Sequence, residues 1–252
     1  MGHENIVQML LDKNADYTDY SNSNSSPFYI ATKHGHGNIV KRLLSKGYEV
    51  NKFIGNEESP LYTACKHGHY SIVQILLDGG ANINHGNKDE CSPLFVACQE
   101  GHTKIVHLLL VKGADINNRC KNGITALHIA CEHGFKEIVE RLLSGGAAID
   151  ISNKKGESPL YTACQYGHTD IVGCLLDKHD IATCTKNYES GLDPLCIACE
   201  KGHLNVVKLL LGKGSDINGK DRNGLSPLSL ACKEDHTLIG MFLIDNGANI
   251  EI

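Results

Sequence analysis

The sequence predicts an all-α fold: a solenoid of stacked helix-turn-helix units with projecting turn or β-hairpin loops. Three observations support this. A Gly-His pair recurs, with one exception, at intervals of 33 residues, a Ser-Pro-Leu type of helix start recurs in step with it, and a glycine follows most of the predicted second helices. Repeats of about 20–45 residues that bury their apolar faces only against neighbouring repeats form solenoids. We therefore expect each unit to be stabilised by the next.

The first helix of each unit is predicted to begin at a short polar residue followed by Pro or Ala. Ser, Thr or Asp accepts hydrogen bonds from the free amides of the first turn, and Pro suits that turn because it has no N–H. Apolar residues then follow at helical spacing. The seven starts are Ser26-Pro27, Ser59-Pro60, Ser92-Pro93, Thr125-Ala126, Ser158-Pro159, Asp193-Pro194 and Ser226-Pro227.

The second helix is predicted to follow the Gly-His pair and to end at a glycine. Ile72, Val73, Leu76 and Leu77 have the spacing of one buried stripe. A glycine tolerates the left-handed conformation that often ends a helix. The pairs are Gly2-His3, Gly35-His36, Gly68-His69, Gly101-His102, Gly167-His168 and Gly202-His203, with Gly134-Phe135 and Asp235-His236 as variants, and the end positions are Asn14, Gly47, Gly80, Gly113, Gly146, Gly214 and Gly247.

These residues resemble the ankyrin repeat, whose pattern is T-P-L-H-x-A, G-H, I-V, L-L and G-A. The resemblance covers the whole chain and implies a single ankyrin-repeat domain over residues 1–252. Its predicted units are a partial repeat 1–21, repeats 22–54, 55–87, 88–120, 121–153, 154–188 and 189–221, and an incomplete final repeat 222–252. Two extra residues fall in the unit 154–188, so we expect an irregular segment over 177–192, near His179.

One helix position departs from the family pattern, which has His there. This chain has Tyr29, Tyr62, Phe95, His128, Tyr161, Cys196 and Ser229. In similar proteins the His makes a polar bridge to the neighbouring loop. We expect that bridge at His128, and aromatic packing instead where the residue is Tyr or Phe.

Composition argues against several classes of partner. The formal net charge is -5, and no run of Lys or Arg forms a phosphate-binding strip, so nucleic acid is not expected. No stretch approaches the roughly 18 consecutive apolar residues of a membrane-spanning helix, and the N-terminus does not resemble a signal peptide. We expect no membrane association and an intracellular, cytoplasmic protein.

Six of the 11 cysteines occupy one repeated position, directly after an Ala. Stacked helices lie about 8–10 Å apart, whereas a disulfide needs Cα atoms closer than about 7 Å. We therefore predict buried, unpaired thiols, which fit a reducing compartment. These residues are Cys65, Cys98, Cys131, Cys164, Cys199 and Cys232, while Cys91, Cys120, Cys174, Cys184 and Cys196 share no spacing.

Neither metal binding nor catalysis is expected, and no cofactor is predicted. Cys65, His67 and His69 fall on repeat positions, and no C-x-x-C pair is present. Cys131 and His133 are two residues apart, a spacing that does not bring side chains together on a helix. The recurring thiol indicates a structural role.

The resemblance implies that a protein partner binds the concave face, which the hairpin tips and the exposed sides of the first helices form. Residues vary at these positions, and aromatic and Arg residues make the strongest anchors. A standard interface takes about 20–30 residues a side, so it would extend over several repeats. The predicted contact residues are Tyr20, Phe53, Lys66, His67, Gln99, Glu100, Arg119, Ile124, Glu132, His133, Gln165, Tyr166 and Leu192.

Asn84, Asn117 and Asn218 share one loop position. In similar ankyrin proteins such an Asn can be hydroxylated by an asparaginyl hydroxylase. The alternative, which we favour, is a hydrogen bond that stabilises the loop.

Two other roles remain open, because many unrelated tasks share one scaffold. The array could be the recruitment arm of a larger multidomain enzyme or channel, as both ends of the sequence fall within a repeat. It could also be a structural array that self-associates end to end. Met241 replaces a residue that is mostly polar in the other second helices, so the last helix is unusually apolar.

Overall fold

A computed structural model describes residue 9 and residues 26–54, 57–178, 193–221 and 223–250. The chain divides into two compact units, Met1–Lys121 and Asn122–Ile252. The described residues form fourteen helices, and in them β-structure is limited to two isolated bridges, Ile54 with Glu58 and Glu58 with Asn87. The predicted all-α class is confirmed. Residues 179–192 of the segment expected to be irregular, which include His179, lie outside the described residues.

Each unit repeats one pair, a short helix followed by a longer one. The first unit contains α1 (Pro27–Lys33), α2 (Gly37–Ser45), α3 (Pro60–Lys66), α4 (Tyr70–Asp78), α5 (Pro93–Gln99) and α6 (Thr103–Val111). The second unit contains α7 (Ala126–Glu132), α8 (Lys136–Ser144), α9 (Pro159–Gln165), α10 (Thr169–Lys178), α11 (Pro194–Glu200), α12 (Leu204–Gly212), α13 (Pro227–Lys233) and α14 (Thr237–Asp245).

The core of each unit lies between successive pairs. In the first unit α3 packs against α1 and α5, and α4 against α2 and α6. In the second unit α9 packs against α7 and α11, and α10 against α8 and α12. Each second helix turns its predicted stripe inward, so that Ile72, Val73 and Leu76 are fully buried. Burying such side chains contributes about 1.5–3 kcal/mol each, which explains the regular apolar spacing.

The predicted helix starts are confirmed. The hydroxyl of Ser59 accepts a hydrogen bond from the Tyr62 amide at 3.1 Å, and Ser158 accepts one from Tyr161 at the same distance. Asp193 takes the place of the hydroxyl residue at α11 and accepts from two amides. The glycines expected at the ends of the second helices all have positive φ, between 84° at Gly80 and 93° at Gly47.

Five of the repeated histidines join their repeat to the one before it. The Nε2 atom of His168 lies 3.0 Å from the Glu132 carbonyl oxygen, so Nε2 carries the proton and donates it. Gly134 has φ +75°, and a Cβ there would lie 2.6 Å from Cε1 of the His168 ring. Only glycine satisfies both the backbone conformation and the ring contact. His69, His102, His203 and His236 make the same bond to the preceding repeat.

The projecting loops are tied to one another through the repeated Asn. The side-chain oxygen of Asn84 accepts a hydrogen bond from the Asp115 amide at 2.9 Å, and that of Asn218 accepts one from Asn249 at 2.8 Å. The predicted loop-stabilising bond is therefore confirmed at these two positions.

The cysteine predictions are confirmed in part. Cys65, Cys98, Cys131, Cys164 and Cys199 are fully buried and form no disulfide. The prediction is wrong for Cys232, which is exposed, because in the described chain no later short helix packs over α13.

A disulfide joins two cysteines outside the repeated position. Cys91 and Cys120 are 29 residues apart and lie in two successive loops, one before α5 and the other before α7, where their Cα atoms lie 4.5 Å apart. The sequence offered no spacing that pairs them. The prediction of unpaired thiols covered only the repeated position, and this pair lies outside it.

Candidate functional site

A cleft of about 350 Å³ lies in the second unit, beside the ends of α7 and α9. Two loops and the last turns of these helices form its walls. The lining residues are Asn122, Ile124, His128, Glu132, Asn153, Lys154, Lys155, Glu157, Thr162, Gln165 and Tyr166. The cleft therefore brings together four of the predicted contact residues: Ile124, Glu132, Gln165 and Tyr166.

Asn153 shapes the loop that forms one wall. Its side-chain oxygen accepts hydrogen bonds from the amides of Lys155 at 2.9 Å and Glu157 at 3.1 Å. Its side-chain nitrogen donates to Oε2 of Glu157 at 2.7 Å. The Lys154 amide also donates to the Asn122 carbonyl of the neighbouring loop at 2.9 Å. These bonds fix the backbone of the wall and hold the Glu157 carboxylate in one orientation.

His128 fixes the same wall from inside the unit. Its Nδ1 atom accepts from the Thr125 amide at 3.2 Å, so Nε2 carries the proton and donates to the Glu157 carbonyl oxygen at 3.0 Å. His128 is 2% exposed, and the bridge expected from the resemblance is therefore present.

The expectation that other residues at this helix position lose the polar bridge needs correction. The Tyr62 hydroxyl accepts a hydrogen bond from the Asn87 side chain at 3.3 Å, and the Cys196 thiol lies 3.9 Å from the Gly219 and Leu225 carbonyl oxygens. Each contact reaches the loop that precedes the next short helix. The hydroxyl or thiol replaces the imidazole because the position faces a fixed backbone loop.

Tyr166 and Glu132 form another part of the lining. The Tyr166 hydroxyl donates to Oε1 of Glu132 at 3.0 Å, and the Tyr166 side chain remains 47% exposed. Burial raises the pKa of Tyr166, and so do the hydrogen bond to Glu132 and the negative charges of Glu132 and Glu157. Both carboxylates therefore act on the same hydroxyl, and the potential around it is negative.

The charges in the cleft are arranged by depth. Glu132 and Glu157 are half-buried, whereas Lys154 and Lys155 are exposed at the loop tip. Water and salt screen the two exposed ammonium groups more strongly than the half-buried carboxylates. The interior of the cleft is acidic and its rim is basic.

The first unit contains a closed version of this arrangement. Glu58 is 6% exposed, and its carboxylate accepts from the Thr63 hydroxyl at 3.1 Å and from the Lys66 ammonium at 2.7 Å. That ammonium lies 6.0 Å from the centre of the Tyr62 ring. Burial raises the pKa of Tyr62 to about 12, and the charge of Glu58 contributes to the rise. Lys66 was predicted to contact a partner, but here its charge is matched within the chain.

The other predicted contact residues do not line the cleft. Phe53 is 42% exposed, with its ring 4.4 Å from that of His85. His133 follows α7, and its ring stacks on Phe135 at 5.7 Å. His67, Glu100 and Gln99 lie at the ends of short helices, and Arg119 lies in an exposed loop. Tyr20 and Leu192 lie outside the described residues.

The surroundings of the buried thiols Cys65 and Cys131 do not favour the reactive thiolate. Burial raises the pKa of the Cys65 and Cys131 thiols, which keeps them protonated and weakly nucleophilic. Among the described residues, no group of three or more His, Cys, Asp or Glu side chains could hold a metal ion. No helix in the described part of the chain combines the length and apolarity needed to span a bilayer.

Sequence reasoning missed Asn153, Lys154, Lys155 and Thr162 as lining residues. Their signal lay in the alignment of the repeats, because Glu58 to Cys65 and Glu157 to Cys164 are identical in sequence. Superposing the two segments would have pointed to the loop before α9 and to the residue that replaces Lys66.

The comparisons with known proteins agree with this architecture. The family profile of ankyrin repeats (three copies) matches residues 1–54, 47–120, 109–187 and 179–252. The crystal structure of the human ASB11 ankyrin repeat domain is similar, with a TM-score of 0.69 and 28% identity over 85% of this chain and 97% of that chain. In total 559 chains of solved structure match, so the likeness identifies a scaffold and not one partner. No curated protein matches the sequence.

Proposed function

We propose, from the premise that this chain belongs to the ankyrin-repeat family, that it is a non-catalytic module that binds a protein partner on the concave face of its hairpin tips and first helices. Ankyrin repeats are generally protein-protein interaction modules, and the fold is typically non-catalytic. The observation that supports the face most directly is the cleft that joins Ile124, Glu132, Gln165 and Tyr166.

The cleft has the properties of a preformed recognition site. Its walls are held by hydrogen bonds of Asn153 and His128, so little ordering would be required on binding. Tyr166 offers a half-exposed ring and a hydroxyl, the combination that is enriched where binding energy concentrates. An extended segment of a protein could lie along the loops and insert one side chain into the cleft.

Selection from a random library of displayed 12-residue peptides tests this proposal. We expect enriched peptides to bind the chain, and Tyr166→Ala to weaken their binding at least tenfold, as for an interface hot spot. The matched control is Tyr70→Ala, because Tyr70 is 40% exposed at the start of α4 and does not line the cleft. Peptides that bind the Tyr166→Ala variant as well as the unaltered chain, or no enrichment at all, would contradict the proposed face.

A second candidate function is self-association, which the surface of α14 favours. Leu238, Met241 and Ile244 are 71%, 58% and 45% exposed on this helix. Sedimentation equilibrium over a hundredfold range of concentration tests it, with Met241→Lys as the variant. A mass that rises with concentration and falls back in the variant supports self-association, and a constant monomer mass rules it out.

The proposal places the protein in the cytoplasm, where its six buried thiols outside the disulfide would stay reduced. The disulfide between Cys91 and Cys120 favours an oxidising compartment instead. Alkylation of the protein directly in cell extracts, followed by mass spectrometry, decides between them. Alkylated Cys91 and Cys120 support the cytoplasm, and an intact disulfide opposes it.

A further inference from the structure

Glu157 is a positioned carboxylate without a cationic partner among the residues that the structure describes. Its Oε2 atom accepts one hydrogen bond, from the neutral Asn153 side chain. A half-buried carboxylate that is held in place but not neutralised keeps much of its field in the space beside it. That space is the cleft.

The first unit shows which group fits such a site. Glu58 and Glu157 both directly precede the capping Ser of an identical helix start. At Glu58 the position is filled by the ammonium of Lys66, 2.7 Å from the carboxylate and over the ring of Tyr62. A carboxylate and an aromatic ring together select a cation.

In the second unit the residue at the position of Lys66 is Gln165. Gln165 lines the cleft but has no charge to offer Glu157. The ring partner is retained, because Tyr161 stands at the position of Tyr62. The second site therefore has the carboxylate of Glu157 but no lysine at the position of Lys66.

The size and charges of the cleft restrict what can enter. Its volume of about 350 Å³ falls within the range of small-molecule pockets, about 300–1,000 Å³, which is room for one long side chain. Glu132 adds a second carboxylate to the lining. Lys154 and Lys155, both exposed at the rim, would repel a continuous basic tract. An isolated cation flanked by neutral or acidic residues suits this pattern.

We infer that the cleft binds the Lys or Arg side chain of an extended segment of a protein partner, whose cation takes beside Glu157 the place that Lys66 takes beside Glu58. This inference rests on the proposed function and names the chemistry of the partner. When the side chain is Arg, the Glu132 carboxylate accepts a hydrogen bond from the other edge of its guanidinium. The exposed ring of Tyr166 packs along the guanidinium.

Nuclear magnetic resonance titration with two small probes tests this inference. One probe is acetyl-arginine methylamide, and the other is acetyl-citrulline methylamide, which has nearly the same shape but no charge. We expect the arginine probe to shift the amide signals of Asn153, Thr162 and Tyr166 saturably, with a dissociation constant at least tenfold below that of the citrulline probe.

Two variants with the same change in charge separate an effect at the site from a general one. Gln165→Lys supplies the internal cation of the first unit and should weaken binding of the arginine probe at least tenfold. Gln74→Lys adds the same charge on the exposed side of α4 and should change it less than twofold. Circular dichroism checks that both variants are folded, and Glu157→Gln gives an independent loss of the site.

Equal affinity for the two probes, unchanged binding in Gln165→Lys, or the lack of a saturable shift would overturn the inference. These outcomes differ from failure of the proposed function. If displayed peptides bind through Tyr166 but the arginine probe does not enter the cleft, the interaction face stands and the cation does not. If the probe binds but no peptide is selected, the cation site stands and the proposed interaction face does not.

Discussion

The helix start of α3 and the helix start of α9 are the same sequence with different outcomes. Residues 58–65 and 157–164 are identical, and the segments then diverge at Lys66-His67 and Gln165-Tyr166. In the first unit Lys66 closes the site on Glu58. In the second unit the same position is neutral, and a cleft remains open beside Glu157. Two side chains at the end of one short helix thus decide whether a carboxylate is used within the fold or offered to a partner.

The repeats that carry the Glu58 and Glu157 sites share the same glycine-histidine contacts. We expect these contacts to contribute equally to stability in the two units. Gly68 and Gly134 both have positive φ. A Cβ on Gly68 would lie 2.7 Å from the ring of His102, and a Cβ on Gly134 would lie 2.6 Å from the ring of His168. We expect Gly68→Ala and Gly134→Ala each to lower the free energy of unfolding by about 2–4 kcal/mol, from backbone strain and overpacking. Urea denaturation measures both, and costs that differ by more than about 1 kcal/mol would show that the two frameworks are not equivalent.

The residue at the end of the short helix, Lys66 or Gln165, should affect stability in only one of the two units. Lys66→Gln leaves the Glu58 carboxylate buried without its cation and should lower the free energy of unfolding by about 1–2 kcal/mol. The cost stays below that of a fully buried pair because the Lys66 side chain is 38% exposed. Gln165→Ala, the matched change in the second unit, should cost less than about 0.5 kcal/mol. Urea denaturation again measures both.

A double variant separates the lost ion pair from other effects of Lys66→Gln. Glu58→Gln with Lys66→Gln removes both charges, and should recover part of the stability that the single change loses. If the double variant is less stable than Lys66→Gln alone, the unpaired charge of Glu58 is not the cause.

The reverse substitution should have the smallest effect. Gln165→Lys supplies Glu157 with a cation and should raise the free energy of unfolding by about 0.5–1 kcal/mol. Because the pair is half-exposed, 1 M salt should remove most of this gain. Thermal unfolding with and without salt measures it, and an unchanged midpoint in low salt would contradict the equivalence of the two sites.

The features that repeat could be predicted, because each is local and recurs. The capping role of Ser59 and Ser158 follows from neighbouring residues, and so does the positive φ at Gly80. Predicting the buried column of cysteines required only the 33-residue period. The prediction failed at Cys232, because burial at this position depends on a neighbouring helix and not on the residue itself.

The features that depend on contacts between repeats could be predicted only in part. Glu132, Gln165 and Tyr166 were identified as variable surface residues, but nothing in their spacing showed that they share a cleft. Lys66 and Glu58 are eight residues apart in the sequence, at opposite ends of α3, and they still form an ion pair. The disulfide of Cys91 with Cys120 joins two loops with no common period. Such pairings depend on where the loops fold back, and turn sequences alone do not fix that.

The number of cation sites in three forms of the chain tests the central claim most directly. Titration with acetyl-arginine methylamide, followed by amide signals, should show one responsive group of residues in the unaltered chain, around Asn153 and Tyr166. Lys66→Gln should add a second group around Thr63 and Asn87, and Gln165→Lys should remove the first. The account predicts one, two and no sites, and the same pattern of shifts in all three forms would contradict it.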